Sequence, residues 1–238
     1  MTTLFISDLH LDASRPAIAQ LFLAFLENEA AKADALYILG DLFEAWIGDD
    51  ASDAVGDAVA DALARLHDRG VPCFYIHGNR DFLLGDAYAR RARITLLPDP
   101  SLVAIGSERV LLMHGDTLCT DDAPYQAFRK QARDPTWQRA FLARPIVERE
   151  QFAANARAES RHYTKSVADA ITDVNADAVS AALRQHAVRR MIHGHTHRPA
   201  RHEGTLDGDS VERIVLGDWY EHGSVLSIRD GAIELAAL

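Results

Sequence analysis

Five short apolar runs, each ended by a carboxylate, imidazole or amide, constrain this chain more than any other feature. TTLFIS leads into Asp8 and His10, ALYIL into Asp41, VPCFYI into Asn79, RVLLM into His114, and RRMI into His195 and His197. Runs of about four to eight residues rich in β-branched, aromatic and leucine side chains read as buried strands. Open α/β sheets gather their functional groups just beyond strand ends. A lone Asp-x-His, or one histidine beside an apolar run, reads equally well as a satisfied core or loop residue, but five such clusters point to one shared site. Gly40, Gly78, Gly115 and Gly194 stand beside these residues. A backbone without Cβ turns sharply there and comes close to a metal or phosphate, and the same glycines also serve as strand-ending turns.

The donor chemistry narrows the site. Carboxylate, imidazole and amide groups with no thiolate suit two hard or borderline divalent cations such as Mn, Fe or Zn. A bridged metal pair is a standard device for hydrolysing phosphate esters. The two cysteines, Cys73 and Cys119, have neither disulfide-framework nor metal-site spacing. Cys73 falls within a strand and reads as core, while Cys119 lies near the ligand clusters without any feature that would lower a thiol pKa.

At 238 residues and 48% hydrophobic content the chain is expected to form one domain over 1–238 with a substantial core. No segment approaches the roughly 18 uninterrupted apolar residues of a membrane span. MTTLFISDLH has no basic leader region and runs directly into a ligand cluster, so the expected location is the cytoplasm. A formal charge of −10 argues against a nucleic-acid partner.

That charge is uneven. Residues 124–165 hold nine Lys and Arg against four acids, a local +5 that leaves −15 elsewhere. Tyr125, Phe128, Trp137, Phe141, Leu142, Ile146, Val147 and Phe152 share the segment. Residues 122–170 therefore read as a helical insertion over the site, capped by Asp121 or Asp122 and broken at Pro135 and Pro145. A basic, apolar lid suits a ligand with an anionic head and greasy tails, or an anionic membrane surface. An ordinary amphipathic subdomain with solvated arginines is the alternative. Elsewhere, helices are expected over 16–31, 53–69 and 175–186, and VERIVLG, SVLSIRD and AIELAAL read as short strands.

Asp-x-His, GD, GN, H and GHxH in this order resemble the calcineurin-like metallophosphoesterase superfamily. GDLFEAWIGDD, IHGNRDFLLG, LMHGDTLCTDD and IHGHTHRPA further resemble its lipid A pathway diphosphatases, and these strings cover residues 4 to about 199. The resemblance implies an α/β fold, a two-sheet α/β/β/α sandwich with a helical lid insertion at about 122–170. It implies cleavage of UDP-2,3-diacylglucosamine to UMP and 2,3-diacylglucosamine 1-phosphate using two divalent ions, Mn2+. It also implies peripheral association of a monomer with the cytoplasmic face of the inner membrane. Residue by residue, Asp8, His10 and His197 would bind one metal, Asn79, His114 and His195 the other, and Asp41 would bridge both. Activated water would then attack the alpha phosphorus in line. Asp41, Asn79, Arg80, His114 and His195 would be the catalytic set. Asn79, Arg80, Asp122, Ser160, Thr164, Lys165 and His195 would contact substrate, with Thr164 standing where relatives have Asn and Lys165 nearest to a family lysine that falls on Val167. His193 matches no ligand position, and Asp116 is placed to orient an imidazole.

One departure carries chemistry. Many superfamily phosphatases have Gly-Asn-His-Asp, whose His protonates a departing oxygen, whereas this chain has Gly78-Asn79-Arg80-Asp81. Arginine stays charged and donates no proton usefully. A phosphate leaving group, with a second pKa of about 6, needs none, so the substitution favours diphosphate cleavage over alkyl phosphate hydrolysis. Arg80 is then free to fork onto phosphate oxygens; an ion pair with Asp81 or Asp116 is its alternative. Two other functions stay open at this point: a different metallophosphoesterase without a greasy substrate, and a binding scaffold without turnover.

Overall fold

The computed structural model describes residues 1–166 and 171–238, without the side chains of Arg161 and residues 164–166. The chain opens with β1 (Thr2–Ile6), α1 (Pro16–Asn28), β2 (Ala35–Ile38), α2 (Ala54–Asp68), β3 (Cys73–Ile76), α3 (Asp86–Ala92) and β4 (Ile94–Leu97). A second stretch runs β5 (Ser101–Ile105), β6 (Glu108–Met113), α4 (Ala123–Ala132), α5 (Pro135–Leu142), α6 (Ile146–Ser166), α7 (Ala176–His186) and β7 (Arg190–His193). It closes with β8 (Ala200–Leu206), β9 (Asp209–Val215), β10 (Ser224–Arg229) and β11 (Ala232–Ala237).

The strands form two sheets, ordered β11-β10-β1-β2-β3-β4 and β5-β6-β7-β9-β8. β1 to β4 are parallel neighbours, as are β6, β7 and β9, with antiparallel strands on the margins. Alternating side chains explain the layering. Phe5, Tyr37, Ile76, Val110, Leu112, Ile192 and Ile214 meet between the sheets. Leu4, Ile6, Leu36, Ile38 and Tyr75 point the other way, onto Phe22, Leu63 and Tyr88 of α1, α2 and α3. Leu111, Met113 and Met191 pack on Leu183 of α7. Central strands buried on both faces are therefore apolar throughout, which is why they read as continuous runs. The result is the helix–sheet–sheet–helix sandwich that the resemblance implies, on the α/β pattern read from the residues.

Asp53 and Asn175, the first residues of two expected helices, cap them: Asp53 accepts from the Gly56 amide and Asn175 from the Asp177 and Ala178 amides. α1 stops at Asn28, earlier than its apolar pattern, and a 3-10 turn takes over at Ala30–Lys32. The expected insertion forms α4, α5 and α6, and its residues 167–170 lie outside the described residues. Asp122 rather than Asp121 caps α4, Asp134 caps α5, and Pro135 occupies the first turn of α5. No helix among the described residues is long and apolar enough to cross a membrane.

Candidate metal centre

Every cluster picked out in the sequence lies at the carboxyl end of a parallel strand, and the two-sheet arrangement brings all five together. His10 Nε2 stands 3.3 Å from His197 Nε2 and 3.8 Å from Asp41 Oδ2. His197 Nε2 is 3.3 Å from Asp8 Oδ1, and His114 Nε2 is 3.8 Å from Asp41 Oδ2. Asn79 Oδ1 lies 2.9 Å from both His114 Nε2 and His195 Nδ1. Asp41 thus stands between one group made of Asp8, His10 and His197 and another made of Asn79, His114 and His195. Asp8, Asp41 and His114 are fully buried or nearly so.

The local backbone is shaped for this convergence. Asp8, His10, Asp41, His195 and His197 all adopt left-handed φ values between 49° and 70°. Non-glycine residues there cost on the order of 1–3 kcal/mol each and persist where surroundings over-determine them. Asp81 supplies much of that determination, accepting backbone N–H bonds from Leu42 at 2.7 Å, Gly78 at 2.9 Å, and Asp41 and Phe43 at 3.3 Å. The β2 and β3 loops also touch directly: a Cβ on Gly78 would sit 2.1 Å from Asp41 Oδ1, so only glycine fits.

The electrostatics fit cations. Burial opposes ionisation of Asp8, yet the His197 hydrogen bond and the charges of His197, His114 and His10 hold its pKa well below the carboxylate range. Burial would lower His114, but Asp41, Asp116 and Asp8 outweigh it and raise that imidazole to about 9. Burial and the neighbouring His114 push His195 down to about 3. Carboxylates that demand positive charge from their histidines, with a buried Asp8 Oδ1 that meets His197 Nε2 at 3.3 Å, make a donor set suited to two divalent ions.

Several neighbours differ from their expected places. Asp116 does not hold an imidazole; His114 Nδ1 turns to the Leu39 carbonyl at 2.9 Å. Asp116 instead accepts from the Tyr125 hydroxyl at 2.5 Å and Arg129 Nε at 2.7 Å, joining α4 to the β6 loop. Because Asp81 and Asp116 are taken, neither pairs with Arg80, whose Nε is buried without a partner among the described residues. His193 packs against Gly194 O at 2.8 Å and Arg213 at 3.2 Å, and burial lowers it to about 4. Asp122, besides capping, accepts from the Tyr163 hydroxyl at 3.1 Å. Ser160 lies on α6, while the side chains of Thr164 and Lys165 fall outside the described residues.

A cavity of about 780 Å3 opens between these residues and the helical insertion. His10, Asp41, Asn79, Arg80 and His195 line one part of it, with Asp122 and Ser160 nearby; Phe82, Trp137, Phe141 and Phe152 line another. Trp137 stacks on Phe141 with ring centroids 5.0 Å apart, and Phe152 meets Phe141 edge-on at 5.2 Å. Among the described basic side chains of the insertion, Arg157 lines the cavity and the other six divide in two. Arg149, only 2% exposed, forks onto Asp50 and donates to Ile47 O at 2.7 Å. Arg129 pairs with Asp116, and Arg133 donates to Gly78 O at 2.9 Å. These three tie the insertion to the body, whereas Lys130, Arg139 and Arg144 face solvent.

Cys119 lines the cavity, but burial pushes its thiol up to about 12. Cys119→Ala is therefore expected to keep turnover within about twofold of the parent, because a thiol so protonated is no nucleophile. A large loss in a steady-state assay, with the fold intact by circular dichroism, would contradict this.

A family model described as calcineurin-like phosphoesterase matches residues 1–199. The chain belongs to the calcineurin-like phosphoesterase family. Within it, the chain is 55% identical to a protein of Stenotrophomonas maltophilia named UDP-2,3-diacylglucosamine hydrolase, over 100% of this chain and 99% of that protein. A protein of Xanthomonas oryzae pv. oryzae with the same name is 54% identical, covering 99% of this chain and 98% of its own length. Another from Xanthomonas campestris pv. campestris is 53% identical over 100% of both.

Proposed function

We propose that this chain hydrolyses the diphosphate of UDP-2,3-diacylglucosamine to UMP and 2,3-diacylglucosamine 1-phosphate (lipid X) in lipid A biosynthesis. The single observation that carries this reading is the composite cavity, with a two-cation donor set at one end and an aromatic lining from the insertion at the other. Relatives more than half identical over their full length carry the matching name.

Asp8, His10, Asp41 and His197 would hold one cation, and Asp41, Asn79, His114 and His195 the other. Two such ions, Mn2+ in this proposal, would supply Lewis acidity and an activated water for in-line attack on the alpha phosphorus. Arg80 donates its backbone N–H to Asp41 Oδ1 at 2.8 Å, which fixes its place at the cavity, and its guanidinium is the group we assign to the phosphate oxygens. Asp122 and Ser160 would meet the sugar, with Thr164 and Lys165 completing the set. Phe82, Trp137, Phe141 and Phe152 would take acyl chains. The protein acts, in this proposal, as one domain and a monomer with no nucleic-acid partner.

Hydrolysis in water labelled with heavy oxygen tests the route. The label is expected in UMP and absent from lipid X. Arg80→His should not be faster, because a phosphate leaving group gains little from a proton, and its KM should rise with loss of the fork. Label in lipid X, or a faster variant, would overturn the assignment of the attacked phosphorus or of Arg80.

The same proposal places the chain on the cytoplasmic face of the inner membrane, held by the turn between α5 and α6. Leu142, Ile146 and Val147 are 38%, 40% and 68% exposed there, beside exposed Arg139 and Arg144. Apolar tips flanked by arginines suit an anionic bilayer. The double variant Ile146→Asp, Val147→Asp should weaken co-sedimentation with vesicles containing phosphatidylglycerol by at least about tenfold. Unchanged co-sedimentation would remove this contact from the proposal.

A further inference from the structure

The two candidate cation positions are not backed alike. His10 Nδ1, the ring nitrogen pointing away from Asp41, has Glu44 Oε2 at 3.0 Å, an ion-pair contact without hydrogen-bond alignment. His197 Nδ1, pointing away from Asp8, has Asp218 Oδ2 at 3.5 Å. In the other group, His114 Nδ1 meets the neutral carbonyl of Leu39, and the charge of Asp116 acts on the ring without a hydrogen bond to it. His195 turns Nδ1 itself toward Asn79.

Asp218 is held for this role by its own loop. It follows β9, the last of the parallel strands, as Asp41 follows β2. Its Oδ1 accepts from the Tyr220 amide at 2.9 Å, which leaves Oδ2 toward His197. The next residue, Trp219, is fully buried, donates its amide to Asp8 O at 3.1 Å and lies edge-on to Phe22 and Phe25. Tyr220 in turn stacks on His10 with ring centroids 5.3 Å apart. The loop that backs His197 is thus fastened to Asp8 and His10, two ligands of the same position.

Charge adds to the asymmetry. Asp41 is common to both positions; Asp8 stands 3.3 Å from His197 on the first and within 4.8 Å of His114 on the second, where the Asn79 amide is the nearer oxygen. Anionic oxygen is the stronger donor for hard divalent ions, and a carboxylate behind an imidazole fixes its tautomer and raises its basicity. Resting on the proposed function above, we infer that Glu44 and Asp218 are positioning residues that make the position of Asp8, His10, Asp41 and His197 the tight, first-filled one. The position of Asn79, His114 and His195 is the weaker, exchangeable one.

The test is a metal-binding isotherm. Chelator-stripped protein is titrated with Mn2+, with free ion followed by electron paramagnetic resonance and bound ion by mass spectrometry of the metal. The parent should show two steps separated by at least about tenfold in affinity, the first saturating at one ion per chain. Asp218→Asn keeps the size and the Tyr220 bond, and should weaken the first step by roughly 10–100-fold while moving the second far less. Glu44→Gln should act in the same direction, although the nearby Arg80 charge also acts on Glu44, so Asp218 is the cleaner probe. His114→Ala, expected to erase the second step alone, assigns the steps. Two equal steps in the parent, or an unchanged first step in Asp218→Asn with normal circular dichroism, would overturn the inference while leaving the proposed reaction standing. No Mn2+ binding at all would instead count against the proposed function.

Discussion

Asp41→Ala is expected to lower turnover by more than about 100-fold, beyond the 10–100-fold typical of residues that only support a metal ligand. One Asp41 oxygen lies 3.8 Å from both His10 Nε2 and His114 Nε2, which places it between the two groups. The loss should not come from unfolding. Burial raises the Asp41 pKa, with Asp81 and Asp8 adding to the rise after the histidines oppose it. A carboxylate whose folded pKa is raised costs stability once ionised, at pH above its unfolded value. In chelator near pH 7 the alanine variant should therefore melt no lower than the parent, apart from the small cost of the Arg80 amide losing its acceptor. Such a site trades stability for function. Near-normal turnover with unchanged metal content would refute the bridging role.

Asp81→Ala should act through the fold itself. Four buried N–H groups from the β2 and β3 loops converge on this one carboxylate, which is fully buried. Each buried donor left unpaired costs on the order of 1–3 kcal/mol, with partial relief by water. A loss of about 3–5 kcal/mol is expected, a large share of the roughly 5–15 kcal/mol that stabilises a typical domain. Asp81→Asn keeps one acceptor oxygen and the shape, and should lose about 1–2 kcal/mol. Urea unfolding measures both. A loss below about 0.5 kcal/mol for the alanine variant, the range of an ordinary surface change, would contradict the account of how these loops are held.

Much of this was legible in the sequence because central parallel strands are apolar on both faces. TTLFIS, ALYIL, VPCFYI, RVLLM and RRMI needed no periodicity to be recognised, and the ligand clusters followed from where those runs end. Marginal strands were harder. β8, ARHEGTL, is exposed along most of its length, so no buried face marks it. β4 and β5 and the seven-residue α3 are short and similarly half-covered. IVLGDW repeats the strand–Gly–Asp pattern of YILGDL, so Asp218 carries the same signal as Asp41, but it matches none of the seven ligand positions that the resemblance supplies. The basic insertion was visible as composition, but composition could not separate the arginines that fasten it from those that face solvent. Arg149 and Lys130 count alike in a charge tally, and only the partners Asp50 and Ile47 distinguish them.

The central claim joins metal-dependent diphosphate hydrolysis to a diacylated substrate held under the insertion. Purified protein stripped of metal and supplied with Mn2+ should be assayed against UDP-2,3-diacylglucosamine and UDP-N-acetylglucosamine in parallel, with UMP release followed for both. The expected result is Mn-dependent UMP release from the diacylated substrate, with kcat/KM at least about a hundredfold above that for the soluble sugar nucleotide, a difference of roughly 2.7 kcal/mol for burying acyl chains. Equal kcat/KM for the two substrates, or UMP release that survives removal of metal, would contradict it.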